Sequence, residues 1–101
     1  MTQLVRIAEL DIDPAQLDAY KALLTEEIAS AMALEPGVLA LHAVSLKAAP
    51  TKIRILEIYA SDDAYQLHIQ TPHFLKYKLG TEHMVLALTL LDVDPILLTA
   101  K

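Results

Sequence analysis

The chain has no cysteine, no tryptophan and no asparagine, and only two glycines and one phenylalanine among its 101 residues. Without cysteine there are no disulfides, no thiolate nucleophile and no cysteine-bound metal, a usage that fits a cytoplasmic protein. Two glycines are too few for a phosphate-cradling loop or a dinucleotide fingerprint. Basic residues are also scarce. Eight Lys and Arg face thirteen Asp and Glu, a net charge of −5, and no basic stripe exists to neutralise phosphates. Nucleic acid is therefore not an expected partner. Long apolar runs are missing as well. The longest spans residues 84–91 and includes Thr89, whereas a membrane span needs about 20 residues, so no membrane insertion is expected. Arg6, Glu9 and Asp11 interrupt the apolar stretch near the N-terminus, which argues against a secretory signal.

What the chain does have is aliphatic bulk. Hydrophobic residues make up 54%, including 19 Leu and 15 Ala, and the mean hydropathy is +0.38. A single domain of this size buries only about 60–68% of its unfolded surface. More apolar side chains are present than a monomer comfortably hides, so part of the surplus is expected to meet a partner.

Leu4, Ala8, Leu10 and Ile12 alternate with Arg6 on the same face, which predicts a first strand over residues 4–12. Asp13-Pro14 supplies an N-cap and a first helical residue. Leu17, Tyr20, Leu24, Ile28 and Ala31 follow as one buried stripe, until Glu35-Pro36-Gly37 ends the helix, with Gly37 free to take a positive φ. Residues 38–46 and 53–60 read as strands with a turn at 47–51, making a hairpin. Ser61 caps a second helix reaching about residue 70. Thr71-Pro72 breaks it and restarts it to Gly80. Residues 84–93 form a last strand. This β-α-β-β-α-β order predicts an α+β, ferredoxin-like domain covering residues 1–101, an antiparallel sheet with both helices on one face. All four strands carry apolar residues on both sides, so the bare sheet face is expected to pack on a second copy, giving a homodimer.

The candidate chemistry clusters on the broken helix. Tyr65 and His68 share one helical face, as do His73 and Tyr77, with Phe74 between them. They can wall a pocket between helices and sheet, although the spacing alone also suits an ordinary helix with capping polar groups and an aromatic core. Glu57 lies mid-strand between Ile55 and Tyr59, where a carboxylate must be paired, hydrogen-bonded or facing a cavity. Arg6 is its candidate partner. His42 is compatible with a pocket or with a satisfied core position. No metal site is expected, because no two of the four histidines share one helical turn and Pro72 separates His68 from His73. Asp62-Asp63 and Glu26-Glu27 read as solvated helix-surface charges.

Four segments in this order resemble the antibiotic biosynthesis monooxygenase family, in particular its small quinol monooxygenase-like members. They are Val5-Arg6-Ile7-Ala8-Glu9, Glu35-Pro36-Gly37-Val38-Leu39, Leu56-Glu57-Ile58-Tyr59, and Ala64-Tyr65-Gln66-Leu67-His68 with Thr71-Pro72-His73-Phe74. The resemblance implies a dimeric α+β barrel with a pocket in each subunit for a small-molecule substrate. It also implies oxidation of a quinol or phenol by O₂ without flavin, haem or metal. His68 would serve as base or hydrogen-bond partner, and Glu57 would orient or polarise. Tyr59, Tyr65 and Phe74 would form the wall, with His42, His73, Tyr77 and Arg6 as further substrate contacts. Haem-degrading branches of the family use an Asn and a Trp, which this chain lacks.

Two other functions stay open. One is isomerisation or degradation of a small phosphorylated signalling sugar, with Arg6, Lys52 or Arg54 holding the phosphate. The other is a non-catalytic binding module, favoured if Leu and Ala fill the space between helices and sheet and leave no cavity of roughly 300 Å³.

Overall fold

The computed structural model describes residues 2–101. Strand β1 (Leu4–Ile12) leads through a 3₁₀ turn (Pro14–Gln16) into helix α1 (Leu17–Leu34). Strands β2 (Val38–Leu46) and β3 (Ala49–Tyr59), helices α2 (Asp62–His68) and α3 (Pro72–Thr81), and strand β4 (Val85–Val93) follow. The sheet order is β2-β3-β1-β4, with every pairing antiparallel. This is the expected ferredoxin-like α+β arrangement.

Caps and breakers act largely where the sequence places them. The Asp13 carboxylate accepts from the Ala15 N–H at 3.0 Å, but Pro14 opens a tight 3₁₀ turn and regular helix begins only at Leu17. The Ser61 hydroxyl accepts from the Ala64 N–H and the Thr71 hydroxyl from the Phe74 N–H. The helix ends differ by a residue or two from expectation: α2 stops at His68 and α3 runs to Thr81. Strand β3 starts earlier than predicted, at Ala49, so the turn shrinks to Lys47-Ala48. Pro50 is tolerated there because β1 pairs with β3 only from Lys52 onward, so no β1 partner awaits the missing N–H.

The residues facing the helices follow from the register. Arg6 lies opposite Glu57, Ala8 opposite Ile55 and Leu10 opposite Ile53. Ala8, Leu10, Ile12, Ile53 and Ile55 form one core with Tyr20, Leu24 and Met84. A second core holds Ala31, Val38 and Tyr59, flanked by Leu4, Leu41, Ala64 and Tyr65.

The apolar surplus is not confined to the bare face. On that face Val5 and Ile58 are buried and Val44 and Leu91 exposed, and the ion pairs Glu9–Arg54 and Asp11–Lys52 occupy one end of it. Leu88 and Leu90 lie opposite Leu10 and Ala8, on the helix side of edge strand β4, and both are about half exposed. Other exposed leucines sit on the helices and in the C-terminal tail. None of the described helices is long and apolar enough to cross a membrane.

Gly37 does not take the positive φ expected of it. It is needed for space, since a Cβ there would lie 2.7 Å from the Ala64 Cβ, where α2 packs against the connection between α1 and β2. Gly37→Ala should therefore destabilise the chain by about 1–3 kcal/mol, the cost of overpacking. Adding Ala64→Gly should recover part of it, which a double-mutant cycle of urea midpoints measures.

Candidate functional site

A cavity of about 540 Å³ lies between the sheet and the helices, bounded by members of both cores. Strand β1 contributes Arg6, Ala8 and Leu10, and β3 contributes Ile55, Glu57 and Tyr59. Helix α1 adds Leu24 and Glu27, α2 adds Tyr65 and His68, and α3 adds Phe74 and Tyr77. Leu86, Leu88 and Leu90 of β4 form its outer wall. Most of this lining is aliphatic or aromatic, with a few polar groups among it.

Those polar groups are already organised. The Tyr59 hydroxyl donates to Glu57 Oε1 at 2.6 Å, and its ring packs edge-on against Tyr65 at 5.2 Å between centroids. The Arg6 guanidinium lies 4.4 Å from the Tyr65 ring centre. Its ion pair is with Asp92 of β4, at 2.9 Å, and not with Glu57 as the sequence suggested. The strand register brings Arg6 and Glu57 side by side, but Tyr59 satisfies the carboxylate and Asp92 satisfies the guanidinium. Deeper in, the Tyr20 and Tyr77 hydroxyls share a 2.7 Å hydrogen bond. Burial pushes both phenols, and that of Tyr59, above their ordinary value, so all three remain neutral.

His68 is only 3% exposed. Its ring lies 5.1 Å from Phe74 and 5.4 Å from Tyr59 between centroids. Nδ1 meets Glu35 Oε2 at 2.9 Å, and the same oxygen meets His73 Nε2 at 2.6 Å. A carboxylate can only accept, so Nδ1–H of His68 donates, and in the neutral imidazole the lone pair is then on Nε2. Nε2 stands 3.5 Å from Glu27 Oε1, too far for a good hydrogen bond. That Glu27 oxygen is buried without a hydrogen-bond partner among the described residues. Burial pushes the Glu27 carboxyl above the ordinary carboxylate range, although His68 and His73 pull the other way.

Comparison with known proteins agrees with this geometry. The antibiotic biosynthesis monooxygenase family matches the chain over residues 3–78. The chain belongs to that family. A crystal structure from Bacteroides thetaiotaomicron VPI-5482, assigned as an antibiotic biosynthesis monooxygenase, is 50% identical with a TM-score of 0.98, covering 99% of this chain and 97% of that one. A monooxygenase-assigned protein of Lactobacillus acidophilus NCFM is 26% identical with a TM-score of 0.86, over 87% of this chain and 42% of its own. An antibiotic biosynthesis monooxygenase-assigned structure from Caulobacter crescentus CB15, 24% identical with a TM-score of 0.81, covers 92% and 91% and shares the fold. Among curated proteins, none matches the chain.

Within this antibiotic biosynthesis monooxygenase fold, seven of the nine side chains singled out from sequence line the cavity: Arg6, Glu57, Tyr59, Tyr65, His68, Phe74 and Tyr77. His73 instead reaches Glu35 behind His68, and His42 is exposed on the opposite sheet face. The sequence missed Glu27 and Glu35. Glu27 was expected as a solvated surface charge like Glu26, yet it is 5% exposed. Its signal was the spacing of Tyr20, Leu24, Glu27 and Ala31, which places it on the buried stripe. Glu35 had the signal of a helix stop only.

Burial also pushes the Glu57 carboxyl up from the usual 4.5, against the Tyr59 hydrogen bond and the nearby His68 and Arg6. A raised folded-state pKa means the fold favours the protonated acid. The stabilisation is complete below the ordinary carboxylate value and is lost as pH rises through the folded-state one. Glu57→Gln keeps the acceptor for Tyr59 and removes this loss. At pH 7 it should raise Tm by a few degrees, on the order of 1 kcal/mol, with a smaller gain near pH 4. An equal difference at both pH values in calorimetric scans contradicts this account.

Proposed function

We propose that the chain oxidises a small quinol or phenol with O₂ in this cavity, with the substrate itself supplying the electrons. The observation that carries the reading is His68, a buried imidazole in the cavity wall whose Nδ1 is fixed by Glu35. Such a group can take the phenolic proton at Nε2. The resulting phenolate is electron-rich enough to pass an electron to O₂, and the two radicals combine at a ring carbon. Loss of water from the hydroperoxide leaves a hydroxyquinone. One oxygen atom enters the ring and the other leaves as water. Quinol plus O₂ thus balances hydroxyquinone plus water, with no external reductant. The aliphatic walls exclude bulk water from the reactive anion. Tyr59, held by Glu57, and Arg6 over Tyr65 line the cavity and would orient the substrate oxygen.

Two observations weigh against the other functions. The cavity exceeds what a filled binding module would leave. Lys52 and Arg54 are paired with Asp11 and Glu9 and do not line it, and Arg6 is held by Asp92. None of the three cations considered for a phosphate is thereby free in the cavity, and Lys78, the other cation in its lining, sits at an exposed position.

Oxygen-electrode assays across a panel of quinols should show O₂ uptake matched by product. His68→Gln should lower kcat by about 10²–10⁴-fold, the usual contribution of a positioned base. No uptake with any quinol, or full activity in the variant, refutes the reading.

We further infer a homodimer formed through the bare sheet face, which carries Val44 and Leu91 exposed beside Ile7 and Leu56. Light scattering at micromolar concentration should give twice the mass of one 11.1 kDa chain. Val44→Asp with Leu91→Glu should give one chain mass.

A further inference from the structure

Glu27, Glu35, His68 and His73 bring one donor atom each to within 4.8 Å of one another. They come from the middle of α1, its C-cap, the last residue of α2 and the first turn of α3. The residue types are two imidazoles and two carboxylates, with no thiolate. No Lys or Arg pairs with either acid among the described residues. We propose that these four side chains form a binding site for one divalent transition-metal ion of the Zn²⁺ class.

Three observations carry it. The first is distance. Zn²⁺ takes N and O ligands at about 2.0–2.1 Å in a tetrahedron, which sets its ligands roughly 3.3–3.4 Å apart. Here the four donor atoms lie within 4.8 Å of one another: Glu35 Oε2 stands 2.6 Å from His73 Nε2 and 2.9 Å from His68 Nδ1, and Glu27 Oε1 stands 3.5 Å from the other His68 nitrogen, Nε2. Shifts of an ångström or so convert one arrangement into the other. The second is charge. Two ionised carboxylates and two neutral imidazoles carry −2, which a divalent cation cancels where no Lys or Arg among the described residues pairs with either acid. The third is the orphan oxygen. Glu27 is 5% exposed, and its Oε1 lacks a hydrogen-bond partner among the described residues. An unsatisfied buried acceptor is costly, and coordination satisfies it. Imidazole with carboxylate suits Zn²⁺, Co²⁺ or Ni²⁺ and disfavours Ca²⁺ and Mg²⁺, which prefer oxygen alone.

The site goes beyond the oxidation reading, and its test needs no turnover. A bound ion would occupy a His68 lone pair, so ion and phenolic proton would compete for the imidazole.

The full chain, tag-free and stripped with chelator, is titrated with ZnCl₂ by calorimetry. One ion should bind per chain with a micromolar or lower dissociation constant, and Tm should climb with free Zn²⁺. Co²⁺ should give the intense visible bands of a four-coordinate ion. Ca²⁺ should not bind. His73→Gln and Glu27→Gln should each weaken Zn²⁺ at least tenfold. His83→Gln, at an exposed histidine bonded to Gln16, should leave binding unchanged. Glu27→Gln removes a buried orphan acid, so its metal-free fold should be at least as stable as the parent, and a lost Zn²⁺ response is then readable as a lost ligand. Absence of binding to the unmodified chain overturns the proposal. So does Zn²⁺ binding undiminished in both variants, or lost equally in His83→Gln.

Discussion

One carboxylate oxygen, Glu35 Oε2, accepts from two imidazoles, and much of the fold is arranged to let it. Glu35 stands at the C-cap of α1, where its own N–H still bonds Ala31 while its backbone turns extended. From there its side chain reaches His68 at the end of α2 and His73 in the first turn of α3. Hydrogen bonds to a charged acceptor contribute about 1.5–3 kcal/mol each. Removing one partner of a buried charged pair costs about 3–5 kcal/mol, because the other is left uncompensated. The three helices are thus tied at one point, and the cavity wall is built where they meet. Gly37, two residues on, has no Cβ because α2 packs here at close range.

The composition is consistent with that geometry. Leu and Ala build a frame thin enough to leave a cavity, and the few aromatics are used as its lining. Tyr59, Tyr65, Phe74 and Tyr77 line it, and Tyr20 lies in the aliphatic core beside it. The leucines of β4 close the outer side but stay half exposed.

Local signals in the sequence were legible, and long-range ones were not. β1 and β2 fall on the residues that alternation marks, and the caps at Asp13, Ser61 and Thr71 are where short polar side chains precede helical runs. Pro50 hid the start of β3, since proline suits a strand only where no ladder bond is required, and that depends on where β1 ends. Glu27 was hidden by its charge. Residue type argued for the surface while position argued for the core, and position prevailed because His68 lies beside it. Arg6 and Glu57 were rightly placed together on the sheet, but Asp92, 86 residues from Arg6, takes the guanidinium. No spacing rule reaches that far.

The same distinction governs the histidines. Counting along the chain, four residues, the last a proline, separate His68 from His73, which puts them off any shared helical face. That count treats the break as a spacer. In the fold the break is a corner. Thr71 closes it by donating its hydroxyl to the His68 carbonyl while accepting from the Phe74 N–H. The new helix axis then brings the two imidazoles to 6.4 Å between ring centres. Proline at the first helical position makes the turn cheap, since that N–H would be unsatisfied in any case. An interrupted helix can therefore converge donors that a continuous one would splay apart. A break flanked by two ligand-type residues is evidence for a shared site as readily as against one.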